Sequence, residues 1–336
     1  VKDPGVDRGI DNIVRNYLRV AAGERVAVLH WKAPDLVTLF DEAIVRQGAA
    51  TVRVDLGGRG SIPPGSSATI AGQLRGCAAS LLVAAQEFPM SLSYATREAV
   101  RSAGTRHLHL AGLDSRVLAQ SARAEPALLE LIGTRVVDMI SAAGSVTVTS
   151  ESGTSLEVRC GKGAPLVIST GCPTAGNSEN IPAGFVYWNP SDVRGTFIAD
   201  RGLALSGVRI ATRRAPIKLV IEASRVREYD CSDAETCAKL DEYFLSHPNA
   251  ARVGTLVFPT NYLVRSEIGV HAQDELAPGL NVNLGFSHSA VTRAAWDAPV
   301  QARLLARKLS VRAGDRALVE AGRHADALVE GVSPFR

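Results

Sequence analysis

Apolar positions along the chain change their period near residue 143. Before it, the run Val26-Ala27-Val28-Leu29 follows Gly23-Glu24-Arg25, and Leu36, Leu39, Phe40, Ala43 and Ile44 then fall on one helical face that Gly48 closes. Val52 and Val54 alternate with polar neighbours in the next predicted strand, and apolar runs at 81–84 and 107–110 flank a predicted helix over 93–103. Another helix opens near Pro126. Such alternation predicts a largely parallel sheet covered by helices. After 143, short β-rich segments at 145–149, 156–159, 196–199, 208–211, 217–222 and 254–258 are separated by glycine-containing turns. One helix interrupts them: Ser232 and Glu235 have the spacing of a capping box, Leu240 and Phe244 share a face, and Pro248 lies beyond the end. Segments 304–311 and 317–321 flank Ala313-Gly314-Asp315 as a predicted hairpin. The expected fold is an α/β N-terminal domain over 1–142 followed by a β-rich, mostly antiparallel C-terminal domain over 143–336.

Composition agrees with two ordinary cores, since 46% of the 336 residues are hydrophobic and only 5% aromatic. A formal charge of +3 arises from 37 basic and 34 acidic residues interleaved along the chain, without the clustered basic face that a phosphate backbone requires, so nucleic acid is not an expected partner. No apolar run is long enough to span a bilayer, and Val1-Lys2-Asp3-Pro4-Gly5 lacks the apolar stretch of a secretion signal. The expectation is a cytoplasmic protein with a small-molecule substrate and no membrane partner. Cys77, Cys160, Cys172, Cys231 and Cys237 are scattered without a C-x-x-C pair and read as reduced thiols, mostly core. Cys172, in Thr170-Gly171-Cys172-Pro173, would act as a nucleophile only beside a base or positive charge. The Gly/Pro/Ser stretch at 57–67 reads as a surface loop, because a lone G-G-R-G is not a phosphate loop without a strand before it and a helix start after it.

The order of short motifs carries more than any of them singly. Gly23-Glu24-Arg25-Val26-Ala27-Val28-Leu29, then Gly153-Thr154-Ser155-Leu156, then Ile181-Pro182-Ala183-Gly184-Phe185 with Gly195-Thr196, then Trp296-Asp297-Ala298-Pro299, resembles the aminopeptidase T-like metallopeptidases and their relatives, the 2,5-dihydroxypyridine 5,6-dioxygenases. In the peptidases a metal-binding Glu follows the P-x-G step, where this chain has Phe185, and a second stands just after a glycine, where it has Thr255. The aromatic run Val186-Tyr187-Trp188-Asn189-Pro190 is nearer the dioxygenases. Those hold Fe(II) with two His and one Asp. The resemblance assigns the Asp to Asp297, replaces the His of the H-x-D motif by Ala295, and places Arg252 at the other His. It implies that the iron site is lost and no cofactor is expected; the alternative is a relocated triad of His271, His288 and Asp297 holding Fe(II), Mn or Zn. It also implies a homo-oligomer.

On this reading the catalytic candidates are Asp297, His271 and His288. Asp297 would serve as a general base or orient one, or else accept backbone hydrogen bonds at the turn before Pro299. His271 and His288 could reach the same site, or lie on solvated loops. Arg252 could pair with a substrate carboxylate, or be a surface residue at the helix-to-strand turn. Tyr187 and Trp188 could pack on a flat substrate, or be core. His30 follows the first strand, where open α/β sheets place ligands, while His107 and His109 share one face of a later strand. The leading expectation is an enzyme performing non-oxidative acid/base chemistry, such as hydrolysis, cyclisation or isomerisation, on a small aromatic or amino-acid-derived carboxylate. The alternatives are an Fe(II)-dependent ring-cleaving dioxygenase with relocated ligands, a metal-dependent aminopeptidase, and a non-catalytic binding or scaffold protein.

Overall fold

The computed structural model of the chain describes residues 3–57, 66–84, 88–205 and 208–332, so most of the stretch expected to loop at 57–67 lies outside the described residues. The chain divides into two compact units. The first comprises Val1–Leu128, Thr170–Ala183 and Glu267–Asp274; the second comprises Leu129–Ser169, Gly184–Ser266 and Glu275–Arg336. The sequence boundary at 142/143 marks the end of a helix, whereas this division falls in that helix's first turn, and two later segments return to the first unit.

The first unit is the α/β one. Its sheet combines β1 (Arg25–Trp31), β2 (Ala50–Asp55), β3 (Ala79–Ala84), β4 (Arg106–Ala111) and a late strand, β8 (Ser178–Asn180), in the order β2-β1-β3-β4-β8. Every pairing in it is parallel. All six residues of β3 are buried, as expected of a parallel strand covered on both faces. Helices α1 (Pro4–Asn12), α2 (Pro34–Arg46), α3 (Ser66–Leu74), α4 (Met90–Ala103) and α5 (Ser115–Ala119) accompany the strands. α2 buries Val37, Phe40, Ala43 and Ile44, and α4 ends on Gly104 in the left-handed conformation, φ 70°. β8 was not legible in sequence because Ser-Glu-Asn has no apolar period; it is recruited to the sheet edge beside His107 and His109.

The second unit is all antiparallel apart from its helices. One sheet runs β14 (Arg225–Cys231), β13 (Ile217–Glu222), β10 (Asp192–Ala199), β6 (Ser155–Arg159), β5 (Ser145–Thr149), β18 (Ser310–Ala313), β19 (Arg316–Glu320) and β20 (Arg323–His324). The other runs β12 (Val208–Ile210), β11 (Gly202–Leu205), β17 (Gln301–Leu305), β16 (Asn281–Gly285), β15 (Val253–Pro259), β9 (Phe185–Trp188) and β7 (Val167–Ser169). Both contribute alternate residues to one core, for example Val148, Val158, Phe197 and Leu219 from the first and Trp188, Leu256, Val282 and Leu304 from the second. Ile132, Val136 and Ile140 of α6 (Pro126–Ala143), spaced four apart, pack into it. The apolar run expected as one strand over 304–311 is split between β17 and β18, which belong to different sheets. The expected capping box is displaced by one residue: α7 (Ala234–Leu245) is capped by Asp233, which accepts from Thr236 N–H at 2.9 Å, rather than by Ser232. Among the described residues no helix is long and apolar enough to cross a membrane.

Candidate functional site

Strand alternation in the second unit sorts the candidate residues into two faces. Val186 and Trp188 of β9 point into the core, and so do Leu256 and Phe258 of β15, Val282 and Leu284 of β16, and Ala302 and Leu304 of β17. Successive side chains of a strand point to opposite faces, so Phe185, Tyr187, Thr255, Asn281, Asn283 and Arg303 share the other one. The register confirms the neighbours: Asn283 lies opposite Thr255 on one side and Arg303 on the other. Trp188 is therefore a core residue and not the substrate contact expected beside Tyr187; the pleat separates the two.

This second face is polar but not open. Asn283 is 5% exposed and Thr255 fully buried. Asn283 Nδ2 donates to Thr255 Oγ1 at 3.1 Å, while Asn283 Oδ1 has no hydrogen-bond partner among the described residues. A buried acceptor left unpaired costs about 1–3 kcal/mol, so its retention needs an explanation such as a ligand or water that supplies the donor. Arg303 donates from Nη1 to Glu275 Oε2 at 2.8 Å and from Nε to Gln301 Oε1 at 3.2 Å. Asn281 Nδ2 donates to the Glu275 carbonyl at 2.8 Å, tying the segment before β16 to the same face. Phe185, at the position of a peptidase Glu, packs with Val264, Leu276 and Ala277 in a small apolar cluster instead.

The loop after β16 brings His288 to this face. Its ring lies 5.4 Å from that of Tyr187 and 4.3 Å from that of Phe286. Burial lowers its pKa, Asp297 partly opposes this, and Arg303 adds to it, so the imidazole is neutral near pH 7. Neither ring nitrogen has a hydrogen-bond partner among the described residues. His288 also sits at φ 54°, a left-handed conformation that a non-glycine residue holds only when its surroundings enforce it.

Asp297 is what enforces it. Its Oδ1 accepts from the N–H groups of Ser287 at 2.7 Å and Ala298 at 2.9 Å; its Oδ2 accepts from Ser289 N–H at 3.1 Å and the Ser289 hydroxyl at 2.8 Å. Burial would raise this carboxyl, but those donors bring it down to about 2. Of the two readings of Asp297, the geometry matches the acceptor of backbone hydrogen bonds rather than the general base: it is a fixed anion that clamps the residues on either side of His288. Arg252 is also reassigned: its guanidinium lies 4.1 Å over the Trp296 ring, and its carbonyl accepts from Gly285 N–H at 2.9 Å. It buttresses the loop, with no substrate carboxylate required to explain it.

The remaining candidates lie in the first unit. His271 opens the short helix α8 (His271–Asp274), which belongs to the first unit, whereas His288 and Asp297 belong to the second. His30, the penultimate residue of β1 in the first unit, has its Nδ1 3.8 Å from Asp55 Oδ1. His107 and His109 face α4: His107 Nδ1 is 2.8 Å from Ser80 Oγ, and His109 Nε2 is 3.2 Å from Ser93 Oγ. Cys172 donates to the Asn16 carbonyl at 3.7 Å. Sequence reading passed over Asn283 and Arg303; the signal available was the polar-apolar alternation Asn281-Val282-Asn283-Leu284 within an otherwise apolar stretch.

The donor set does not fit the iron that the resemblance implies. Ala295 offers no ligand atom, Arg252 stacks on Trp296, and both Asp297 oxygens already accept two hydrogen bonds each. Among the described residues no group of three or more His, Cys, Asp or Glu side chains is placed to hold a metal ion.

Comparison with solved structures returns the same architecture. The 2,5-dihydroxypyridine dioxygenase of Pseudomonas putida KT2440 superposes with a TM-score of 0.67 at 17% identity, covering 100% of both chains. AmpT from Thermus thermophilus gives a TM-score of 0.67 at 17% identity, covering 96% of this chain and 99% of that one. No curated protein matches the sequence. At the level of sequence families, residues 14–251 match NicX, 2,5-dihydroxypyridine 5,6-dioxygenase. With most of its length inside that match and the α/β and β-rich units of its structural relatives, the chain belongs to the 2,5-dihydroxypyridine 5,6-dioxygenase family.

Proposed function

We propose that this member of the family is a small-molecule enzyme that carries out non-oxidative acid/base chemistry on a small aromatic or amino-acid-derived carboxylate without a bound metal. The observation that carries the reading is the buried, unpartnered Oδ1 of Asn283 on the same sheet face as a neutral His288. A buried acceptor selects a substrate with an N–H or O–H at that point, because an analogue lacking it leaves the acceptor unpaired. His288, uncharged and with ring nitrogens unpaired among the described residues, is suited to take a proton from the substrate. Tyr187 and Phe286 flank its ring and offer apolar surface to a flat substrate. Arg303, anchored by Glu275, supplies the cation that a carboxylate would share.

The test is turnover of protein stripped with a chelator, on pyridine- and benzene-carboxylates and amino-acid derivatives first selected by thermal shift. Activity should survive metal removal, and His288→Gln should lower kcat by about a hundredfold or more. Stoichiometric iron that is required for activity would replace this reading with the second one, ring cleavage by an Fe(II) dioxygenase, which family membership favours. A cytoplasmic homo-oligomer belongs to the same proposal, and light scattering at micromolar concentration checks the association.

A further inference from the structure

Two cysteines that are six positions apart in sequence, and look unrelated there, meet in the second unit. Cys231 is the last residue of β14, and Cys237 lies in the first turn of α7. Asp233 caps the helix between them, accepting from Thr236 N–H at 2.9 Å and from the Thr236 hydroxyl at 2.6 Å, and so fixes the turn that folds one cysteine back on the other. Cys237 Sγ donates to the Cys231 carbonyl at 2.7 Å, and Cys231 Sγ donates to the Asp233 carbonyl at 3.4 Å. Both are free and half-buried, with neighbours Ser232, Asp233 and Ala234 exposed, so a small reagent can reach them.

We propose that Cys231 and Cys237 form a reversible dithiol/disulfide site, closed by exchange with a low-molecular-weight disulfide. In the first step one thiol loses its proton and its sulfur attacks the small disulfide, forming a mixed disulfide and releasing one small thiolate. The neighbouring thiol then loses its proton, attacks the protein-side sulfur of that mixed disulfide and expels the second small thiolate. The protein gives up two protons and two electrons; the small disulfide takes them up as two thiols. Closure would tie the end of β14 to the first turn of α7, whose Leu240 and Tyr243 are part of the sandwich core.

Burial of the thiol slows the exchange at neutral pH. Burial, the neighbouring Cys237 and the Asp233 charge push the Cys231 thiol up to about 11, so little thiolate exists at neutral pH and exchange should quicken as pH rises.

The experiment is to incubate the folded, full chain with oxidised glutathione at pH 8.5, block with iodoacetamide and digest with trypsin. One tryptic peptide, bounded by Arg227 and Lys239, carries both cysteines and no others. It should be unalkylated and about 2 Da lighter than its reduced form, and dithiothreitol should restore two alkylation sites. In Cys231→Ser and Cys237→Ser the remaining thiol should carry glutathione instead. Two separately glutathionylated cysteines, or two alkylated ones, in the wild-type peptide at equilibrium with the oxidant would overturn the proposal.

Discussion

Acid should loosen the first unit through His109. The ring is 5% exposed on β4, and its Nδ1 has no partner among the described residues. Burial first, and Arg97 second, depress its pKa from 6.5 to about 3. A histidine whose folded pKa is depressed destabilises the fold on acidification: above pH 6.5 both states are neutral, and below it the unfolded chain takes up a proton that the folded chain refuses. At pH 5 the unfolded state is favoured by the one and a half pH units below its own pKa, about 2 kcal/mol relative to pH 7.5. His107, fully buried and lowered by burial, by His109 and by Arg97, contributes in the same direction. Among the described residues the groups facing the pair are Ser80, Ser93, Phe88, Thr105 and Arg97, with no carboxylate in contact to stabilise an imidazolium. Hydrogen exchange of β3 and β4 amides at pH 7.5 and pH 5.0, corrected for intrinsic rates, reads the effect directly. His109→Gln keeps a donor toward Ser93 and removes the titration, so the wild type should lose about 2 kcal/mol more than the variant, roughly a 30-fold difference in opening. An identical pH dependence in the two proteins would refute the reasoning.

Three other outcomes follow from the second unit. Asp297→Asn should lower stability by ~1–2 kcal/mol in urea denaturation, because an amide cannot accept all four of the hydrogen bonds that hold the loop; unchanged stability would remove its clamping role. Gly254→Ala should destabilise by ~1–3 kcal/mol, since an added Cβ would stand 2.6 Å from the Gly285 carbonyl oxygen; a neutral result in the same assay would show that β15 and β16 can part there. Asn283→Leu should leave the fold intact or stabilise it, by removing the unpaired acceptor, while abolishing the thermal shift given by any substrate found; retained ligand binding would take Asn283 out of the site.

What the sequence determined by itself is what depends on local period. The 3.6-residue and two-residue apolar rhythms distinguish the first unit from the second, and β5 and β13 match the strands expected there residue for residue or nearly so. The family was legible too, because ordered motifs survive where their chemistry does not. The tertiary structure decided everything that needs two distant segments in register. β8 and β9 are too short to show a period, yet one completes the parallel sheet and the other places Tyr187 beside His288. Asp297 has the same formula as a base or as a clamp; only the positions of the Ser287, Ser289 and Ala298 donors settle its pKa. Asn283 became a candidate through pairing with Thr255 and through the missing partner of its carbonyl, and a missing partner is a property of the packed surroundings that no single residue type announces. Solvation and hydrogen bonding, which set the reactivity of polar side chains, are decided by what the fold brings against them.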